Sequence, residues 1–347
     1  GADLFETFIS PVSFARQVAE AHDGHLDWYH VEPQLSLTGT NANHRLRARP
    51  GSEHYLLAHL LRTVQHRSPV PAGVIAAVPE VSASEVYQHT GIPTEQIEEL
   101  VAAWDAAEHP LVIAGGVSTA HEGGLSIALL AGLLQESGGA IGTLVDFSAA
   151  ENYASVGTPG ELVDRVVELA GGGVGVFFLS RLHTLSPVPG LRDVAGAAGL
   201  TVARTDFRYP STENCDLLLP ISHGLESWGD VEARRGLTSV SRPAFSPLFD
   251  SRPEGEIMLR LMGAMEGWDE YVAARWRAAG ADLEEQAFIE SQQSPVPTSL
   301  RAAATADRIA ATWSSGTLEE PALIFAPSVR FFDGRSAAIS LLHEIPD

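Results

Sequence analysis

At 347 residues, with 45% apolar and 19% charged side chains, the chain has room for two or three domains and the balance of a globular protein. Forty-four acidic residues face 22 basic ones, all of them Arg, and the net charge of −22 repels both a nucleic-acid backbone and an anionic lipid surface. The single cysteine, Cys215, excludes an iron–sulfur cluster, which takes about four thiolates, a Cys-rich zinc site and any internal disulfide.

In chain order, the opening GADLFETF carries neither a basic region nor a long apolar core, so no signal peptide is expected there. Helices are predicted over Pro11–Ala21 and Ser52–Val64. A third spans Pro93–Glu108, where Ile97, Leu100, Val101 and Trp104 repeat at helical spacing behind Thr94 as N-cap. From residue 110 strands and helices alternate. LVIAG (111–115) reads as a buried strand and Gly123–Ser137 as an apolar helix. Thr158-Pro-Gly-Glu161 is a capping box with Pro at the first helical position. Strands then follow at 174–179, 201–205 and 217–220, with a helix over Val188–Ala198 before the second of them. Such alternation implies parallel βαβ units, hence doubly wound parallel sheets of Rossmann-like α/β type. Beyond 222 the chain reads as a Gly-, Ser- and Pro-rich loop to Pro253, then helices Gly255–Met265 and Asp269–Ala279. A linker over 290–300, a strand ALIFAP (322–327) and a turn at Asp333-Gly334 complete it. The expected domains are a partial first α/β domain over 1–108, a doubly wound α/β domain with a Gly loop over 109–254, and a helical and irregular tail over 255–347. No apolar run reaches the ~20 residues of a membrane-spanning helix.

Four phrases occur together in one order. VEPQLSLTGTNANHRLRARPGSEHYLLAHLL (31–61), TGIPTEQIEELVAAW (90–104), HPLVIAGGVSTAHEGGLSIALLAGLLQESGGAIG (109–142) and VARTDFRYPSTENCDLLLPISHGLESWGD (202–230) resemble successive segments of the molybdopterin oxidoreductases, the dimethyl-sulfoxide-reductase superfamily. The opening DLFETFISPVSFARQVA, Glu226-Ser-Trp-Gly-Asp230, Arg242-Pro-x-Phe-x-Pro-Leu248, Asp333-Gly-Arg335 and His343-Glu-Ile-Pro346 are similar to one branch. That branch is the large subunit of alternative complex III, a quinol:acceptor oxidoreductase. The resemblance implies the central Rossmann-like domains of the molybdopterin oxidoreductase fold. It also implies a place on the periplasmic face of a membrane complex, beside subunits that carry the Fe–S clusters and haems. Family members are far longer, so the resemblance covers their central α/β part and lacks their Fe–S and barrel-like domains.

The candidate cofactor contacts are few. Gly115, Gly116 and Ser118, with His121 beside them, sit where a strand-to-helix loop can cradle a pyrophosphate. The alternative is that the glycines only permit a tight turn. Asp206 follows a strand, where the matching family position contacts the guanosine end of the pterin, but Arg204, Arg208 and Glu213 offer it local partners. Glu53 stands in Pro50-Gly-Ser-Glu53 where the family has P-G-T-D. The extra methylene shifts that carboxylate by about 1 Å and weakens the contact, while Ser52 reads as a plain N-cap. These positions are therefore read as vestigial. Trp228, Asp230, Arg234 and Arg235 form a polar loop with an aromatic anchor, read as an interface or as ordinary surface.

The thirteen His show no zinc-hydrolase spacing, no nucleophile elbow is present, and neither metal nor catalytic residue is assigned. The expectation is a cofactor-free, non-catalytic structural subunit of a respiratory quinol-oxidising complex. The alternatives are a fragment of a catalytic molybdenum–bis-guanine-dinucleotide enzyme completed by partner chains, or a soluble nucleotide-binding protein.

Overall fold

A computed structural model of the chain describes residues 1–8, 10–22, 26–121, 123–146, 156–180, 188–282, 287–290, 302–313 and 326. They fall into two compact units. The first comprises Gly1–Phe147, Val296–Phe332 and Asp347, and the second Ser148–Pro295 and Asp333–Pro346. No helix among the described residues is long and apolar enough to cross a membrane.

The first unit opens with helix α1 (Pro11–His22), started by Pro at a position where its missing N–H costs nothing. Strands β1 (Tyr29–Glu32) and β2 (His44–Arg47) flank the short helix α2 (Leu37–Thr40) and pair in parallel, Val31 opposite Leu46 and Glu32 opposite Arg47. Helices α3 (Glu53–Thr63), α4 (Ala72–Ala77), α5 (Ala83–Thr90), α6 (Thr94–Ala106), α7 (Gly124–Ser137) and α12 (Ala302–Thr312) build the rest of the unit. Leu60 and Leu61 of α3, Ile97 and Trp104 of α6, Leu130 and Leu134 of α7 and Ile309 of α12 share one buried core. The helix α7, apolar nearly all round as read, contributes Ile127, Leu130, Ala131, Leu133 and Leu134 to the interior, as such helices must.

Three local expectations need correction. Residues 111–115 form no strand, and Leu111 and Ile113 are 46% and 40% exposed. A strand needs a partner, and among the described residues no strand runs beside this segment. Thr94 is the first residue of α6 and not its cap; Pro93, with its fixed φ, takes that position. Ser52 occupies the cap position of α3 without capping it, because its hydroxyl donates back to the Arg49 carbonyl at 2.5 Å.

The second unit carries a parallel sheet as expected. Helix α8 (Pro159–Ala170) starts at the capping box of Thr158 and Glu161. Strands β3 (Val176–Ser180), β4 (Leu200–Thr205) and β5 (Leu217–Pro220) lie in the order β3-β4-β5, all parallel, with helix α9 (Leu191–Ala197) between β3 and β4 in sequence. Each strand falls within two residues of its predicted position. The stretch to Pro253, read as a loop, holds a hairpin instead. Strands β6 (Gly229–Arg234) and β7 (Leu237–Ser241) are antiparallel around Arg235-Gly236, where Gly236 has φ +76°, a conformation that glycine adopts without steric cost. Helices α10 (Glu254–Leu261) and α11 (Trp268–Ala278) follow, and β8 (Phe288–Glu290) joins the hairpin through β7. Val272 and Trp276 of α11 form a second core with Trp228, Val240, Trp268 and Ile289. Of the expected linker over 290–300, Glu290 ends β8 and the rest lies outside the described residues, as do the turn at Asp333-Gly334 and, apart from Ala326, the strand over 322–327.

Candidate functional site

Strand β1 ends in Glu32-Pro33, and the Glu32 side chain turns inward to 2% exposure. It survives there because it is paired. Arg45 Nε donates to Oε1 at 2.5 Å, and Ser36 donates its hydroxyl at 2.7 Å and its amide at 3.2 Å to Oε2. Burial alone would push this carboxyl up, but the Arg45 and Ser36 hydrogen bonds outweigh it and hold Glu32 below the usual range. Gly39 is glycine for the same reason, since a Cβ there would lie 2.0 Å from Glu32 Oε1. On the same strand face His30 is 6% exposed, its Nε2 3.3 Å from Glu32 Oε2 but not aligned for a hydrogen bond. Burial, first among the causes, pushes His30 down to about 4, so it is neutral.

The Gly loop lies beside this strand end. A 3-10 turn over Gly116–Thr119 leads into α7. Gly116 has φ +62°, and a Cβ on it would meet the Gly1 carbonyl at 2.3 Å. Ser118 donates to Glu53 Oε1 at 2.8 Å, with both residues buried and the second Glu53 oxygen unpartnered. His121 Nδ1 accepts from the Gly123 amide at 3.0 Å, which leaves the proton on Nε2, buried and without an acceptor. The structure thus brings Glu53 to the loop of Gly115, Gly116, Ser118 and His121, five of the positions singled out from sequence. Asp206 belongs to the second unit, where it follows β4 and accepts from the Tyr209 hydroxyl at 3.1 Å.

A cavity of about 170 Å³ lies between the strand end and the loop, lined by Asp3, Glu6, Glu32, Ser36 and Gly116 among others, with no Arg. Burial and the neighbouring Asp3 carboxylate push Glu6 up, the mark of crowded like charges. A pyrophosphate placed here would meet three carboxylates and no Arg side chain in the lining. The Ser118 hydroxyl is already committed to Glu53, and the volume falls short of the ~300 Å³ at which small-molecule pockets begin. The pyrophosphate of a dinucleotide pterin does not fit these residues. Sequence reasoning missed Arg45, Ser36 and His30; the Glu-Pro turn and the alternation of HRLR are the signals that could have found them.

The four residues read as an interface are spent unevenly. Trp228 packs into the core of the second unit, and its carbonyl accepts from Trp268 Nε1 at 2.7 Å. Asp230 accepts from Trp276 Nε1 at 3.2 Å and from Arg275 at 3.4 Å. Arg234 is exposed and 3.7 Å from Glu290, and Arg235 sits half-buried in the hairpin turn. Burial, then Asp216, pushes the Cys215 thiol up, which leaves it a poor nucleophile.

Parallel α/β units with a Gly loop set beside a strand-end carboxylate define the class: the chain has the molybdopterin oxidoreductase fold. The structure is similar to acetylene hydratase from Pelobacter acetylenicus, with a TM-score of 0.61 and 15% identity over 82% of this chain and 51% of that one. In sequence it is 25% identical over 296 residues to the menaquinone reductase, molybdopterin-binding-like subunit of Nitratidesulfovibrio vulgaris. That match takes in 74% of this chain and 41% of the relative. The chain therefore spans less than half the length of that curated relative. No protein-family model matches it.

Proposed function

We propose that the chain is a molybdopterin-oxidoreductase-like subunit of a quinone oxidoreductase, a structural module in which no redox chemistry takes place. The observation that carries the reading is its likeness to a menaquinone reductase subunit whose own name says "molybdopterin-binding-like". The Gly loop supports the second half of the reading, because its cavity is ringed by carboxylates where a phosphate would need donors. The same carboxylates weigh against a catalytic molybdenum fragment and against a soluble nucleotide-binding protein.

In this reading Fe–S clusters and haems reside in partner subunits, and the assembly sits on the periplasmic face of a membrane as an alternative complex III-like machine. The relative's name points to quinone reduction, and the phrases around Glu226 and Arg242 point to quinol oxidation; one quinone couple serves both directions. Purification of the full-length protein from native membranes tests this. Co-purifying Fe–S or haem polypeptides with quinone-linked electron transfer are expected. A protein that purifies with no partner, or with a molybdenum pterin of its own, would overturn it.

A further inference from the structure

The segment His44-Arg-Leu-Arg-Ala-Arg49 puts three of the chain's 22 Arg into five positions. Alternation along β2 sends Leu46 and Ala48 into the core, each 2% exposed, and turns Arg45, Arg47 and Arg49 to the opposite side. Because β1 and β2 run parallel, these side chains gather where the strands end, the place at which open α/β sheets take their ligands. There they line a second cavity of about 490 Å³, whose other walls include Thr90, Gly91 and Gln96. Of its lining residues only Pro33 is shared with the acidic cavity at the Gly loop. Two cavities of opposite sign thus lie on either side of one proline.

The basic cavity is held in shape before any ligand arrives. Glu32 fixes Arg45. Arg49 donates to the carbonyls of Gln88 at 2.6 Å and His89 at 3.4 Å. Pro33, Pro50 and Pro93 stiffen the rim. Arg47 is exposed, and its side chain makes no hydrogen bond or ion pair among the described residues. Helix α6 opens onto the cavity at Pro93 and Gln96 without a side-chain cap, which adds the partial positive charge of a helix N-terminus. Glu95, in that first turn, does not line the cavity. Guanidinium forks suit paired oxyanions, and the volume falls within the ~300–1,000 Å³ of small-molecule sites.

We propose that this cavity binds a small polyanion carrying two or more oxyanion groups, a di- or triphosphate or a di- or tricarboxylate, between Arg47, Arg49 and the start of α6. The site stands whether or not the quinone oxidoreductase reading holds, since it uses the first unit alone. Calorimetric titration of the protein as purified, with pyrophosphate and with citrate at two salt concentrations, tests it. Saturable binding of at least one anion, weakened by salt, is expected, and the tighter of the two assigns phosphate or carboxylate as the natural group. Arg47→Gln removes no hydrogen bond or ion pair among the described residues and is expected to weaken binding about tenfold with an unchanged melting temperature. Arg47→Lys, which keeps the charge and loses the fork, should lose about threefold. No saturable heat with either anion would overturn the proposal, as would binding that Arg47→Gln leaves unchanged.

Discussion

The pairing of buried Glu32 with half-buried Arg45 sets the electrostatics of the first unit at the scale of single residues. A carboxylate 2% exposed is tolerable only while its cation stays, so Arg45→Met strands the charge and should cost about 3 kcal/mol. Chemical denaturation of the variant reads that directly. A loss below a few tenths of a kcal/mol would mean that Ser36 alone satisfies Glu32. His30 adds a pH dependence of definite sign. Its value in the folded protein, about 4, lies below the ~6.5 of an unfolded histidine. The unfolded chain therefore takes up the proton first, and stability falls as pH drops from about 6.5 to 4. The His30→Asn variant should flatten that part of the stability profile; a wild-type profile already flat there contradicts the assignment. Ser118 was legible in the sequence as a loop residue and Glu53 as a residue of a helix start. Their bond to each other was not, because 65 positions separate them and no local pattern records a contact at that range.

At the scale of elements, legibility followed the strength of the local signal. The capping box at Thr158 names its own helix start, and the structure places both reciprocal bonds there. Thr158→Ala should cost about 1 kcal/mol in a melt of the whole chain, and no loss would mean that α8 owes its start to packing alone. Strands β1 and β2 went unread because YHVE and HRLR are four residues long and largely polar, too short for a period-two pattern to stand out. The opposite error, a strand over 111–115, came from an apolar run with no partner beside it. The hairpin of β6 and β7 hid inside a stretch rich in Gly and Ser, and its core partner Trp276 lies on α11, far along the chain. Trp276 is 1% exposed and should cost about 3–5 kcal/mol as Trp276→Ala. A near-neutral change would show that the hairpin does not depend on that core.

At the scale of the whole molecule, the parallel sheet of the second unit has one well-buried face, and its other face leaves apolar side chains exposed around a buried Val202. Leu179, Thr201, Ala203 and Thr205 are buried, whereas Val176, Phe178, Leu200 and Leu217 are 48%, 36%, 38% and 45% exposed. On the proposed function such apolar surface meets partner subunits, and the chain alone should bind a hydrophobic dye and self-associate. A monodisperse monomer with a sharp melt would speak against that dependence. The fold was legible from four ordered phrases; the misfit of the Gly loop to a pyrophosphate was legible only in part, because the carboxylates that crowd the loop come from segments far apart in sequence. The measurement that bears most directly on a structural, cofactor-free subunit is molybdenum and pterin analysis of the intact complex purified from native membranes. No molybdenum above background per copy of this chain, in a preparation that still transfers electrons to or from quinone, is the expected result. About one molybdenum per copy, with pterin released on denaturation, would contradict it.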